Sequence, residues 1–371
     1  MMVWTALGAA ALALFISMLA VPLSMRVAVR VGMLDRPARH KAHARPTPML
    51  GGSAIFAAVL GPSLLAVAMA RLWAAHGAPA WLASRFGALA VHIDGAAARA
   101  PMALGLLGCA AALHVVGLVD DRRHLGAWTK LAAQIAVALV AVWALNVRVL
   151  TLAGPTVSIA ASVLWIVLVT NAFNFLDNMD GLSAGVALIC CVALLVAAAG
   201  MGQVFVSAWL CLLIGALAGF LPYNFPPART FMGDAGSMTV GFLIGVVSCL
   251  TTYVAPDGGR LMYGLFVPVV VLAVPLYDTF SVVILRLIAG SNPMVGDRRH
   301  FSHRLVRRGM SVRTAVLTIY LCAVATALGA CLLPRVGTVG GALILVQTAA
   351  ILGVIALLET GRGPRPGGPR G

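Results

Sequence analysis

The chain has 371 residues, of which 61% are hydrophobic and only 10% charged. One soluble core could not enclose that apolar excess, so the bilayer is the natural solvent for most of the sequence. The formal charge of +15 does not point to nucleic acid, because the basic residues lie between apolar runs rather than along one soluble face.

The first apolar run, about Val3 to Val21, has no basic residue before it and meets Arg26 and Arg30 after it. A secretory signal has the reverse order, so the run is expected to remain as a first helix. Spans of roughly 20 apolar residues suffice to cross a bilayer. Cutting the chain at charged and Gly/Pro-rich breaks gives about eleven, centred near residues 13, 61, 109, 136, 166, 190, 213, 245, 273, 323 and 348. The expected fold is all-α and polytopic. Residues 1–358 form a single transmembrane domain, and the Gly/Pro/Arg-rich stretch 359–371 is expected to be a disordered cytoplasmic tail whose arginines can meet anionic membrane lipids. All seven cysteines lie inside apolar runs, without the spacing of a zinc site, and are read as packing.

An odd number of spans puts the termini on opposite sides. With the N-terminus outside and the C-terminus cytoplasmic, 20 of the 26 Lys and Arg residues fall in cytoplasmic segments, as the positive-inside rule requires. Of the eleven acids only Asp94 and Asp257 then face outward. A transporter would place ionisable groups near the midplane, reachable from both sides. Here they gather on one side.

Five segments carry candidate chemistry. The first loop reads His40-Lys41-Ala-His43-Ala-Arg45 and ends in Gly51-Gly52, a pair that also suits close helix packing. Asp120 and Asp121 end the third span together. Negative charge at a helix C-terminus opposes the macrodipole, so a base or cation site explains the pair better than a polar terminus does. Next, Asn171, Asn174 and Asn178 form a stripe on the fifth span, with Asp177 and Asp180 following. Such a face at membrane depth wants water, a cation or a polar ligand. The segment from Tyr223-Asn224 to Gly233-Asp234-Ala-Gly236 is a Pro/Gly loop entering the eighth span, where Asp234 could simply cap the helix. Finally, Asp297-Arg298-Arg299-His300-Phe-Ser-His303-Arg304 concentrates phosphate donors in the longest cytoplasmic loop. Oxygen ligands beside basic groups at a membrane surface suit Mg²⁺-assisted phosphoryl transfer. There is no HExxH helix and no G-x-S-x-G elbow.

On these motifs and their order, from the His40 loop through His303, the chain resembles the polyprenyl-phosphate N-acetylhexosamine-1-phosphate transferases. The resemblance implies transfer of a sugar-1-phosphate, N-acetylglucosamine-1-phosphate in the nearer branch, from a UDP-N-acetylhexosamine to undecaprenyl phosphate with release of UMP. It places the enzyme in the bacterial inner membrane with its active site facing the cytoplasm, as a first membrane step of cell-envelope polysaccharide synthesis. Mg²⁺, with Mn²⁺ as a substitute, is the implied cofactor, and a homodimer is compatible. Asp120, Asp121 and Asp177 are the implied catalytic acids, and Asn174 and Asp234 the metal ligands. Asp180, Asn224, Arg299, His300 and His303 would bind the nucleotide sugar; Lys130, Lys41 and His43 would meet the lipid phosphate. Ser302 replaces a histidine that many members carry, and His124 stands where some carry an acid. The alternatives are a phospho-MurNAc-pentapeptide transferase and, in another class, a transporter of lipid-linked substrate.

Overall fold

The computed structural model describes residues 2–35, 46–253, 261–290 and 299–360, so the expectations for Lys41 and His43 and for residues 361–371 lie outside the described residues. It is a helix bundle. In chain order the helices are α1 (Met2–Val31), α2 (Gly51–His76), α3 (Ala80–Arg85), α4 (Gly87–Ala90), α5 (Ile93–Arg123), α6 (Ala127–Trp143), α7 (Pro155–Leu176), α8 (Leu182–Gly200), α9 (Val204–Asn224) and α10 (Gly233–Leu250). They continue with α11 (Leu261–Gly264), α12 (Val267–Val271), α13 (Ala273–Ile288), α14 (Phe301–Arg307), α15 (Val312–Leu332) and α16 (Thr338–Thr360). Two short strands, β1 (Leu34–Asp35) and β2 (Thr47–Pro48), pair antiparallel with Leu34 opposite Pro48.

Each of the eleven expected spans coincides with helix. Among the described residues nine helices are long and apolar enough to cross a membrane, which makes the chain a polytopic membrane protein. The two other segments depart for physical reasons. At 17 residues, α6 extends only about 25 Å, short of a typical hydrocarbon core of about 30 Å. The span expected around residue 273 is broken at Leu272 into α12 and α13. Pro275 has no N–H to offer the carbonyl of Val271, so the helical ladder is interrupted there. At the other end α16 runs two residues past the expected limit at 358, and Glu359 lies buried within it.

The bundle is organised around α10, whose residues are nearly all buried and which packs on α2, α5, α7, α8 and α9. Small residues permit that density. A Cβ on Gly52 would stand 2.3 Å from Gly236 Cα, and one on Gly117 would stand 2.3 Å from Ala235 Cα, so α2 and α5 touch the α10 backbone directly. His114, in α5, stacks on Phe56 of α2, with Nε2 at 3.0 Å from Ser53 Oγ and Nδ1 at 3.1 Å from the Ala235 carbonyl. The carbonyl must accept, so Nδ1 carries the proton and Nε2 accepts from Ser53. On the periphery, α1 and α16 expose Phe15, Leu19, Leu343 and Leu357, a surface suited to lipid.

Gly117→Ala is expected to destabilise the protein by about 3 kcal/mol, because the clash is with backbone. Gly61→Ala meets nothing within 4 Å and should stay within about 0.5 kcal/mol. Thermal unfolding of the detergent-solubilised variants measures both.

Candidate functional site

Asp120 and Asp121 occupy the last turn of α5, and the chain then reverses through His124, which takes a left-handed conformation at the helix C-cap. That reversal starts α6 at Ala127 and brings Lys130 back over the turn it came from. Lys130 Nζ lies 3.0 Å from Asp120 Oδ2 and 2.6 Å from Asp234 Oδ2, so one ammonium bridges acids of α5 and α10.

Asp121 does something different from its neighbour. Its Oδ1 accepts the Asp234 N–H at 2.8 Å and its Oδ2 the Ala235 N–H at 3.2 Å. It therefore caps α10 from another helix, where the helix dipole is positive. Gly233 precedes this with φ of +68°, and a Cβ there would stand 2.6 Å from Asp121 Oδ2, so both the turn and the space require glycine. The sequence marked Asp234 as a metal ligand or a cap; the cap is Asp121, and Asp234 is left to face Lys130.

The three asparagines, two on α7 and Asn178 just beyond its end, take three tasks. Asn171 donates to Gln134 Oε1 of α6, Asn174 donates to Ser237 Oγ of α10 at 2.9 Å, and Asn178 accepts from Ser302 Oγ at 2.6 Å. Only Asn174 stays with the acids. Asp177, just past the end of α7, feels the charges of Asp234, Asp121 and Asp180; desolvation first, then those three charges, push its carboxyl well above the usual carboxylate range, against the pull of the Gly233 N–H. Asp180 accepts the Ala228 N–H at 2.9 Å, tying this loop to the Pro/Gly loop after α9.

The residues fit a hard divalent cation in their chemistry. Asp120, Asp234 and Asn174 offer oxygen, and Asp120 Oδ1 is buried without a hydrogen-bond partner, an acceptor that a cation would satisfy. Among the described residues no three His, Cys, Asp or Glu side chains converge as a ready cage. The cation between Asp120 and Asp234 is the Lys130 ammonium.

The basic loop adjoins this cluster through the Ser302–Asn178 bond and through His300, whose ring meets Phe175 edge-on at 6.0 Å. His300 is buried and its Nδ1 lies 2.8 Å from Asp278 Oδ2, while Asp278 Oδ1 accepts the Phe301 N–H at 3.0 Å. Asp278, wholly buried in α13, thus both fixes the imidazole and caps α14, leaving Nε2 as the nitrogen for a ligand. Arg304 pairs with Glu359 at 2.8 Å and donates to Ser281, and Tyr277 also donates to Glu359. Arg299 donates to the Leu285 carbonyl at 3.3 Å, and His303 lies half-buried on α14.

Asn224 is 2% exposed, its Oδ1 accepts the Gly181 N–H and its Nδ2 donates to the Thr230 carbonyl. With both amide groups engaged it positions the two loops. Asp278 and Glu359, which hold α14 through His300, Phe301 and Arg304, belong to none of the five segments that the sequence singles out. A lone acid in the apolar run around residue 278 was the available signal, since an intramembrane acid needs a partner.

A family model described as glycosyl transferase family 4 matches residues 103–252, the stretch holding Asp120, Asp121, Lys130, Asn174, Asp177, Asp180 and Asp234. The chain is 30% identical over 320 residues to a probable undecaprenyl-phosphate N-acetylglucosaminyl 1-phosphate transferase of Bacillus subtilis strain 168, covering 84% of this chain and 80% of that protein. It is 34% identical over 331 residues to a decaprenyl-phosphate N-acetylglucosaminephosphotransferase of Mycolicibacterium smegmatis, covering 82% and 76%. Against the undecaprenyl-phosphate alpha-N-acetylglucosaminyl 1-phosphate transferase of Escherichia coli K12 it is 27% identical over 322 residues, covering 81% and 77%.

A raised folded-state pKa means that ionising Asp177 opposes folding. The cost is absent below the ordinary carboxylate value near 4 and grows as pH rises toward the folded value. In metal-free protein, Asp177→Asn should therefore unfold at a higher temperature than the parent at pH 8, with the difference vanishing toward pH 4.

Proposed function

From a chain that belongs to glycosyl transferase family 4, in its polyprenyl-phosphate N-acetylglucosamine-1-phosphate transferase branch, we infer the following reaction. The enzyme moves N-acetylglucosamine-1-phosphate from UDP-N-acetylglucosamine to undecaprenyl phosphate and releases UMP, opening a cell-envelope polysaccharide pathway. The observation that carries this reading is the Asp120–Lys130–Asp234 bridge at one end of the bundle, beside the basic helix α14. The charge asymmetry of the sequence, in which 20 of the 26 Lys and Arg residues fall in cytoplasmic segments when the N-terminus is outside, supports a cytoplasmic site in the bacterial inner membrane.

An oxygen of the lipid phosphate attacks the sugar-bearing phosphorus of the UDP-sugar, forming one P–O bond as the P–O bond to UMP breaks. Lys130 holds the lipid phosphate once it turns from Asp234. Asp120 takes any proton on that phosphate. Asp121 and Ser237 hold Asp234 and Asn174 in place, and these two would ligate Mg²⁺, or Mn²⁺ in its stead. Bound there, the ion neutralises charge on the diphosphate and the leaving UMP. Arg299, His303 and the Nε2 of His300 meet the diphosphate and sugar, and Asp180 the uracil. No covalent intermediate is needed, because positioning and electrostatics supply the barrier reduction.

Purified enzyme with UDP-N-acetylglucosamine, undecaprenyl phosphate and MgCl₂ is expected to release UMP, and chelation to stop it. Asp120→Asn and Asp234→Ala should each slow release by about 100-fold or more. Near-normal rates in both variants, or use of UDP-MurNAc-pentapeptide in preference, would overturn the assignment.

A further inference from the structure

Outside the polar site, α1, α2 and α5 bound an apolar groove of about 800 Å³. It exists because α2 packs on both α1 and α5 while those two stand apart. Ala54 and Ala57 of α2 give it a shallow floor, Val27 of α1 and Val119 of α5 form facing walls, and Arg122 and Arg123 close one end. Both arginines are exposed and make no ion pair among the described residues.

The face of α5 that lines the groove carries Val115, Leu118, Val119, Arg122 and Arg123, the spacing of one helical stripe. At 100° per residue, Gly117, Asp120 and Asp121 point to the opposite side, toward α10 and Lys130. A phosphate held by Arg122 and Arg123 therefore lies behind the acid pair and out of its reach. The occupant is not the reacting lipid.

We propose that the groove is a binding site for one anionic phospholipid of the leaflet beside the acid cluster. Its acyl chain lies along α2 between α1 and α5, and its phosphate sits on Arg122 and Arg123. An apolar trough ending in cations that pair with no acid among the described residues matches a bilayer lipid in both polarity and charge. The bound lipid braces the turn of α5 that carries Asp120 and Asp121, and its binding does not depend on the transferase reading.

Full-length protein reconstituted in phosphatidylcholine nanodiscs with or without phosphatidylglycerol tests this by native mass spectrometry and thermal unfolding. The parent is expected to retain one phosphatidylglycerol and to unfold at a higher temperature with it. R122Q/R123Q should retain it roughly 30-fold less, the loss of two cations near an anionic surface. Ala57→Trp, which fills the exposed floor without altering charge, should lose the lipid as well, and decides the matter if the double variant does not fold. Undecaprenyl phosphate should not displace the phosphatidylglycerol. Parent-like retention in both variants, displacement by undecaprenyl phosphate, or loss of a dimer rather than of lipid in Ala57→Trp would overturn the proposal.

Discussion

A helix that begins inside a bundle brings backbone N–H groups to a place where they must find acceptors. At the start of α10 the acceptor is the carboxylate of Asp121, which takes the N–H groups of Asp234 and Ala235. Much of the site follows from that bond. It draws the end of α5 onto α10, which Gly117 permits by having no Cβ to strike Ala235. It fixes the entry turn, where Gly233 takes a positive φ against the same carboxylate. It also sets Asp234 on the first turn of α10, within reach of Lys130.

The arrangement gathers more negative charge than it neutralises. Asp120, Asp121, Asp177 and Asp234 lie close together, with Lys130 as the bridging cation. Three devices make this tolerable. The positive end of α10 and two backbone N–H groups meet Asp121; Lys130 is shared by two acids; and Asp177 is pushed toward its neutral form. Such crowding opposes folding unless something positive is bound there, so it is not a source of stability. The basic helix α14 stands next to it, held by Asp278 at its start and by Glu359 through Arg304.

Much of this was legible in the sequence because bilayer physics writes in long apolar runs, and each predicted span is helix. The break at Leu272 was not read because a proline near a helix start leaves hydropathy unchanged while removing one hydrogen bond. The acids and amides at the bundle end were legible as types. Their division of labour was not. Asn224 and Asn174 look equivalent in one dimension, yet one is sealed by Gly181 and Thr230 and the other bonds Ser237 beside the acids. The pairing of Asp278 with His300 is not legible in one dimension, since the two lie 22 residues apart along the chain.

The end of α5 shows why adjacent residues take unlike roles. Successive side chains on a helix point 100° apart, and this turn sits where three surroundings meet: α6 with Lys130, the N-terminus of α10, and the groove beside α1. Asp120 reaches the first, Asp121 the second, and Arg122 and Arg123 the third. The order Asp-Asp-Arg-Arg is thus a statement about angle. One residue inserted before Asp120 would turn the set by 100°, moving the acids off α6 and α10 and carrying the arginines toward the packed interior. The spacing from Gly117 to Asp121 therefore couples the close approach of α5 to the chemistry at its end, since Gly117 and Asp121, one turn apart, both bear on the first turn of α10.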